Sequence, residues 1–325
     1  MPITTQDFEA LTDDLQSIFN ETARRKVAEN VGFNIYDVRD TNRLNHTHQV
    51  LHGLAGVRKM TEGEDFPKVH GKQGDDITWT QEQYGGMVSI TKKMRKFDLH
   101  NQIKSVVKSI SQDAFDKVDQ SLADALLGGF ESSYQDPYGD VKSSVTPDGL
   151  RLFHSNHTNP ITDKTFSNII KKDGVEHPQL SREAIRQAQV HAKTHKDPNN
   201  IMRPINLDTL IVAPEKVDLA ERLIKSQYLP GSANNDINPL YGKVKIVEWP
   251  RLSENSEGDD TKEYWFLVDS QAAKEETLKC LFAEKPSLDA PDLVYPNKNW
   301  DYTLDFFYTI GKGYPAYVYG SKGTA

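Results

Sequence analysis

Apolar residues recur at three- and four-residue steps over 5–29. Phe8, Leu11, Leu15, Ile18 and Phe19 mark one face and Thr4 or Thr5 stands where a cap belongs, so the spacing predicts a helix. From Val31 to Val57 the pattern is mixed: Phe33 and Ile35 alternate as in a short strand, and a polar, histidine-bearing segment follows. Together, residues 1–57 read as an amino-terminal arm with no core of its own. Over 58–97 the glycines Gly63, Gly71, Gly74, Gly85 and Gly86 and the single Pro67 punctuate two extended runs. One run ends near Val69; the other is ITWTQEQYGGMVSITKKM, where Val88 and Ile90 alternate with polar positions. This predicts a long β-hairpin around a glycine-rich tip. A two-stranded ribbon without a continuous apolar face is marginal in water, so it must lie against something else.

The clearest helix covers 99–127, where Ile103, Val106, Val107, Ile110, Ala114, Val118, Leu122, Ala125 and Leu126 hold one stripe. Asp98 is placed to cap it and Gly128-Gly129 to stop it. At 1.5 Å per residue it is about 40 Å long, the length of a spine. Turn chemistry then dominates to His177, in DPYGD, TPDG, SNHTNP and KKDG. Ser181 opens a helix with Ala184, Ile185, Ala188 and Ala192 inward, closed before Pro198. Residues 205–295 have an α/β rhythm: strand Leu210-Ile211-Val212, a helix begun by Pro214 with Val217, Ala220, Leu223 and Ile224 on one side, and a Gly/Pro/Asn loop at 229–242. A strand at Val244–Val247, an acidic exposed loop ENSEGDDTKE and a strand Tyr264–Val268 complete it. Late in the chain Tyr302, Leu304, Phe306, Tyr308 and Ile310 alternate with Thr303, Asp305 and Thr309, a strand with one apolar face.

Composition narrows the function. The 325 residues suffice for about two structural units, and 37% hydrophobic and 26% charged residues describe a folded chain. A net charge of −8 argues against tight non-specific binding of nucleic acid, which needs a basic excess. The only cysteine, Cys280, excludes an internal disulfide and any multi-thiolate metal site, as in a reducing compartment, and reads as a packing residue after a helix. The first residues lack a cationic segment and apolar core, so no signal peptide is expected, and no run reaches the roughly 18 apolar residues of a membrane span. Mean hydropathy of −0.64 agrees.

Catalytic chemistry finds no foothold. His46, His48 and His52 include an H-x-H, but no cysteine or acid completes a ligand set, so surface histidines are expected there, and likewise at His154 and His157. No G-x-S-x-G and no phosphate-binding G-x-x-x-x-G-K-[ST] occurs. The dense basic run Lys92-Lys93-Met94-Arg95-Lys96 reads as a solvated strand end or a contact with DNA or an acidic neighbouring subunit. No catalytic, cofactor or metal residues are assigned; a chain this long without them points to an assembly protein.

The order of elements, with TPDGLRLFHSNH at 146–157, TLIVAPEKVDLAERLI at 209–224, GKVKIVEWPRLS at 242–253 and YWFLVD at 264–269, resembles the major capsid protein of tailed bacteriophages. That α+β, HK97-like fold is shared with bacterial encapsulin shells, and the likeness is closest to the Mu-like major head subunit family. The resemblance implies an amino-terminal arm at 1–57, an extended hairpin (the E-loop) at 58–97, and a P-domain at 98–204 with its spine helix at 98–128. An α/β A-domain would follow at 205–295, with a carboxy-terminal strand at 296–325 returning to the P-domain. It further implies self-assembly into hexamers and pentamers of an icosahedral or prolate shell around double-stranded DNA held by weak contacts, in a virion assembled in the bacterial cytoplasm. Portal, scaffold and decoration proteins would be partners, and no membrane or cofactor. With no long leader before the arm, the scaffold is expected to be a separate protein. On this reading Trp79, Tyr84, Lys92, Lys93 and Arg95 are the expected intersubunit contacts, and the arm and hairpin gain their burial from neighbours. The alternatives are an encapsulin-like cellular compartment and, from another class, a metal-dependent hydrolase using His46, His48 and His52.

Overall fold

The structure is a computed structural model and describes residues 5–52, 59–61, 65–66, 72–97, 100–158, 164–197, 201–228, 236–290, 292–294 and 299–324. The expected cap Asp98, the run end Val69 and much of the 229–242 loop lie outside these.

In chain order, the elements begin with helices α1 (Thr5–Glu29) and α2 (Gly32–Ile35) and strands β1 (Asp37–Asp40), β2 (Asn45–His52), β3 (Lys72–Thr80) and β4 (Glu82–Ile90). The short helix α3 (Lys92–Lys96) and the long α4 (His100–Leu127) follow. Short strands come next: β5 (Ser133–Gln135), β6 (Val141–Ser143), β7 (His157–Thr158), β8 (Thr165–Phe166), β9 (Lys171–Lys172) and β10 (Val175–Glu176). Then come α5 (Arg182–Lys193), β11 (Thr209–Val212), α6 (Pro214–Ile224), β12 (Lys245–Glu248) and β13 (Trp265–Val268). The last are β14 (Leu278–Leu288), β15 (Asp292–Val294), β16 (Asn299–Lys312) and β17 (Val318–Ser321). The chain divides into two compact units, the first of 1–46, 80–122 and 280–310, the second of 47–79, 123–279 and 311–325.

In the first unit β16 is the hub of a five-stranded sheet: β4 runs antiparallel along it, β15 folds back on its first residues, and β14 pairs with it and carries β1. The alternation read in the sequence is realised: Tyr302, Leu304, Phe306 and Tyr308 are buried. On that face Tyr84 stacks on Phe306 at 5.7 Å and the Ser121 hydroxyl of α4 meets that of Tyr308 at 2.9 Å. Helix α1 spans the predicted residues, but it is not a coreless arm. It runs in the same direction as α4, with Asp14 paired to Lys104, the Ser111 hydroxyl donating to the Phe19 carbonyl and Lys26 paired to Asp116, and Leu15 and Phe19 are fully buried. The expected Phe33–Ile35 strand is instead the helical turn α2, because the Asp119 carboxylate of α4 accepts its first N–H (Gly32, 2.8 Å) and Tyr36 donates to the Leu122 carbonyl.

Three further expectations change. The partner of β3 is β2, inside the segment read as arm, so ITWTQEQYGGMVSI is two strands, one in the hairpin and one in the sheet. The basic run is not a strand end but the helix α3, capped by the Thr91 hydroxyl accepting from Met94 N–H. Gly128-Gly129 does not stop α4 through a left-handed residue; the chain tightens into a 3-10 turn at Gly128–Phe130, and glycine is needed because a Cβ at 128 would stand 2.3 Å from the Tyr134 Cβ.

The second unit is built on the sheet β12-β11-β13-β17, with β11 parallel to β12 and the other pairs antiparallel. α5 is read correctly from its cap, as Ser181 accepts from Ala184 N–H and Ala184, Ile185, Ala188 and Ala192 are buried. These residues, with Ala220 and Ile224 of α6, cover one sheet face through Leu210, Val212, Trp265, Leu267 and Tyr319. The row Ile211–Phe266–Gly320 faces the other way, where Phe130 and Phe153 stack on Phe266. Val318–Ser321 therefore joins the sheet of the expected A-domain, not that of β16. Cys280 does not follow a helix proper; a π-turn at Ala273–Thr277 leads straight into β14, and burial pushes the Cys280 thiol up, out of reach of nucleophilic chemistry.

Candidate assembly surfaces

The ladder β2–β3 has little core. The Thr47 and Thr78 hydroxyls meet at 3.0 Å and the Thr80 hydroxyl donates to Asn45, yet most described positions of the ribbon are exposed. Among the described side chains its buried anchor is Trp79, which stacks on His48 at 5.3 Å and is 7% exposed. Gly311 makes room for it, since a Cβ there would lie 2.5 Å from the Trp79 ring. Trp79 thus packs within its own chain, on His48 and against Gly311. Tyr84 is likewise half-buried against Phe306 and Tyr308, its hydroxyl bonded to Glu82. Lys92 and Lys93 stand exposed on α3; Arg95 occupies the same short helix, and Phe97, which closes it, is 66% exposed. A sequence pattern cannot separate these cases, because an aromatic in a strand reads alike whether its own chain or another covers it.

The histidines do not assemble into a metal centre: among the described residues no group of three His, Cys, Asp or Glu is placed to hold an ion. His157 is not a surface residue. It is fully buried, its ring nitrogens 2.7 Å from the Asp148 carboxylate and 3.1 Å from the Leu152 carbonyl. Burial would raise the Asp148 carboxyl, but the bond and charge of His157, the Thr146 hydroxyl and the Leu150 N–H together hold it below the usual range. This is a buried clamp between turns.

A second buried histidine, His195, makes the second unit sensitive to acid. Burial, and then the neighbouring His191, push His195 down to about 4 against the opposing pull of Asp197, and burial also lowers His177 and His191. Between pH 6.5 and 4 the unfolded chain takes up the His195 proton and the folded chain does not. Stability therefore falls as pH drops through that window, by about 3 kcal/mol for this group. Denaturant unfolding at pH 7 and 4.5 is expected to show a smaller loss for His195→Leu than for the wild type; equal losses would contradict the assignment.

The sequence model of a family described as phage capsid protein matches residues 75–319. No curated protein sequence matches the chain. Among solved structures, the fold is similar to the mature capsid of bacteriophage PhiM1, at 12% identity and TM-score 0.54 over 89% of this chain and 86% of that one. It is also similar to the capsid of cyanophage P-SCSP1u, at 13% and 0.49 over 89% and 86%. The virus-like particle from Pyrococcus furiosus follows at 11% and 0.47 over 95% and 98%. Such identities speak for the fold, and the PhiM1 likeness assigns an α+β, HK97-like capsid architecture. No helix among the described residues is long and apolar enough to cross a membrane. The family model covers well more than half of the chain's length, so this is a structural shell protein, and the chain belongs to the phage capsid protein family.

Proposed function

We propose that the chain is the major head subunit of a tailed phage of the Mu-like kind, forming hexamers and pentamers of a closed icosahedral or prolate shell around double-stranded DNA. In this reading 58–97 supplies the E-loop, extended at its base by β2; 98–204 is the P-domain with spine α4, 205–295 the A-domain, and 296–325 returns the chain to the P-domain through β16, with β17 ending it on the A-domain sheet. Portal, scaffold and decoration proteins are its partners, and the mature virion, filled in the bacterial cytoplasm, its location. Lys92, Lys93 and Arg95 are its intersubunit contacts.

The observation that carries the reading is the β2–β3 ribbon, exposed over most of its described positions apart from Trp79. Two strands alone do not hold in water. A neighbour of the same kind would bury them, and a standard contact hides on the order of 1,600 Å². Different surfaces then meet head to tail and close into rings. The acidic balance also suits a wall that encloses DNA without gripping it.

Expression of the chain with its neighbouring reading frames, followed by negative-stain electron microscopy, is expected to show closed angular shells, or sheets and tubes of hexameric units. A monodisperse monomer or dimer under every condition would overturn the proposal. Shells that form only around a co-expressed enzyme would replace it with a cellular compartment.

A further inference from the structure

One face of the first unit's sheet is covered by α4, which bonds Tyr308 through Ser121; on the other, β4 is exposed and β16 half-buried to exposed. β16 places Asp301, Thr303, Asp305 and Phe307 there, and β4 sets Ser89, Met87, Gly85 and Gln83 opposite them. These positions hold no cation. Asp301 accepts from the Ser89 hydroxyl. Asp305 faces Gly85, so no side chain shields it from the β4 side. Met87, between the aspartates, is 62% exposed. Of the basic residues on the other strands, Lys285 of β14 is already bound by Asp40 of β1.

The same unit presents the complement. α3 exposes Lys92 and Lys93 and ends on the exposed Phe97. One surface thus offers carboxylates around an exposed methionine, and the other ammonium groups beside an exposed phenyl ring. Thioether and aromatic ring attract one another, and opposite charges set register and orientation.

We propose that the β4–β16 face opposite α4 receives the basic turn α3 of a second copy of this chain, a contact between two different surfaces that propagates head to tail. This rests on the shell reading and names the surface that its basic contacts meet. A single exposed ion pair contributes little, so the effect comes from the charge set as a whole, reinforced by repetition around a ring.

The test is a charge exchange. Lys92→Glu with Lys93→Glu is expected to cut the yield of assembled particles at least tenfold, and Asp301→Lys with Asp305→Lys to do the same. All four changes together are expected to restore the yield to within about twofold of the wild type. Asp305→Lys alone, which leaves the Ser89–Asp301 bond intact, guards against misfolding, and circular dichroism of the unassembled fraction reports the fold. One-sided variants that assemble as the wild type does, or a fourfold variant no better than either half, overturn this contact while leaving the shell reading standing. Failure of the wild type to assemble under every condition removes both.

Discussion

Phe153→Ala is expected to lower the stability of the second unit by about 3–5 kcal/mol, roughly 10 °C in melting temperature for a unit of this size. The ring is fully buried, stacked on Phe130 at 4.5 Å and on Phe266 at 5.4 Å. Two glycines hold it from both sides: a Cβ at Gly129 or at Gly320 would stand 2.8 Å from its ring atoms. The Phe153 N–H also donates to the Gly129 carbonyl at 2.8 Å, so the backbone that would have to move to fill a cavity is tied down. A site that cannot collapse keeps its void, and the upper part of the range applies. The converse follows: Gly320→Ala pushes a methyl into a ring with no room to retreat, at a cost of about 1–3 kcal/mol. Combined with Phe153→Leu, which gives up the ring edge, it is expected to cost less than the sum of the single changes. Denaturant unfolding of the wild type and three variants measures the cycle; strict additivity would show that the ring is not caged.

The aromatic cage also shows where reading the chain succeeds. α1, α5, α6 and β16 were legible because each carries its whole signal locally: Ser181 and the Ala184–Ala192 stripe, Pro214 at a first turn, strict alternation from Tyr302 to Tyr308. What could not be read depends on distant partners. β14 is buried at every position from Leu278 to Phe282 and then exposed from Ala283 to Lys285, so it shows neither period and hides beside the π-turn. β2 pairs with β3 across 19 intervening residues, 53–71, and nothing in NHTHQVLH names that partner. Gly129 and Gly320 look like turn residues in a sequence, yet each is glycine because Phe153 needs the space. For the assembly surfaces the basic run was visible and its helical form was not. The acidic face that complements it emerges only when β4 and β16 are brought into register.

Lys312→Met is expected to stabilise the second unit at neutral pH, by about 2 kcal/mol net. Lys312 ends β16 almost fully buried, its ammonium bonded to the Ser144 hydroxyl at 2.6 Å and lying 4.6 Å from the centroid of the Tyr134 ring. Burial pushes the amine down to about 7 from its ordinary 10.5. A displacement of that size corresponds to a penalty on the order of 4 kcal/mol against the charged form. Methionine keeps the length and packs on the Tyr134 ring, but it forfeits the hydroxyl bond and the cation–ring attraction, together worth about 2 kcal/mol. The sign of the pH dependence is the sharper test. Between pH 7 and 10.5 the unfolded chain still holds this proton and the folded chain has shed it, so raising the pH favours folding. The advantage of Lys312→Met over the wild type is therefore largest below pH 7 and shrinks as the pH climbs towards 9.5. Because the comparison is a difference between two chains that share every other titrating group, tyrosine and histidine contributions cancel. Denaturant midpoints for both proteins at pH 6, 7.5 and 9 measure it. A constant gap would mean that the buried amine keeps its charge across this range; a gap that widens with pH would mean that the charged form, not the neutral one, is what this pocket favours.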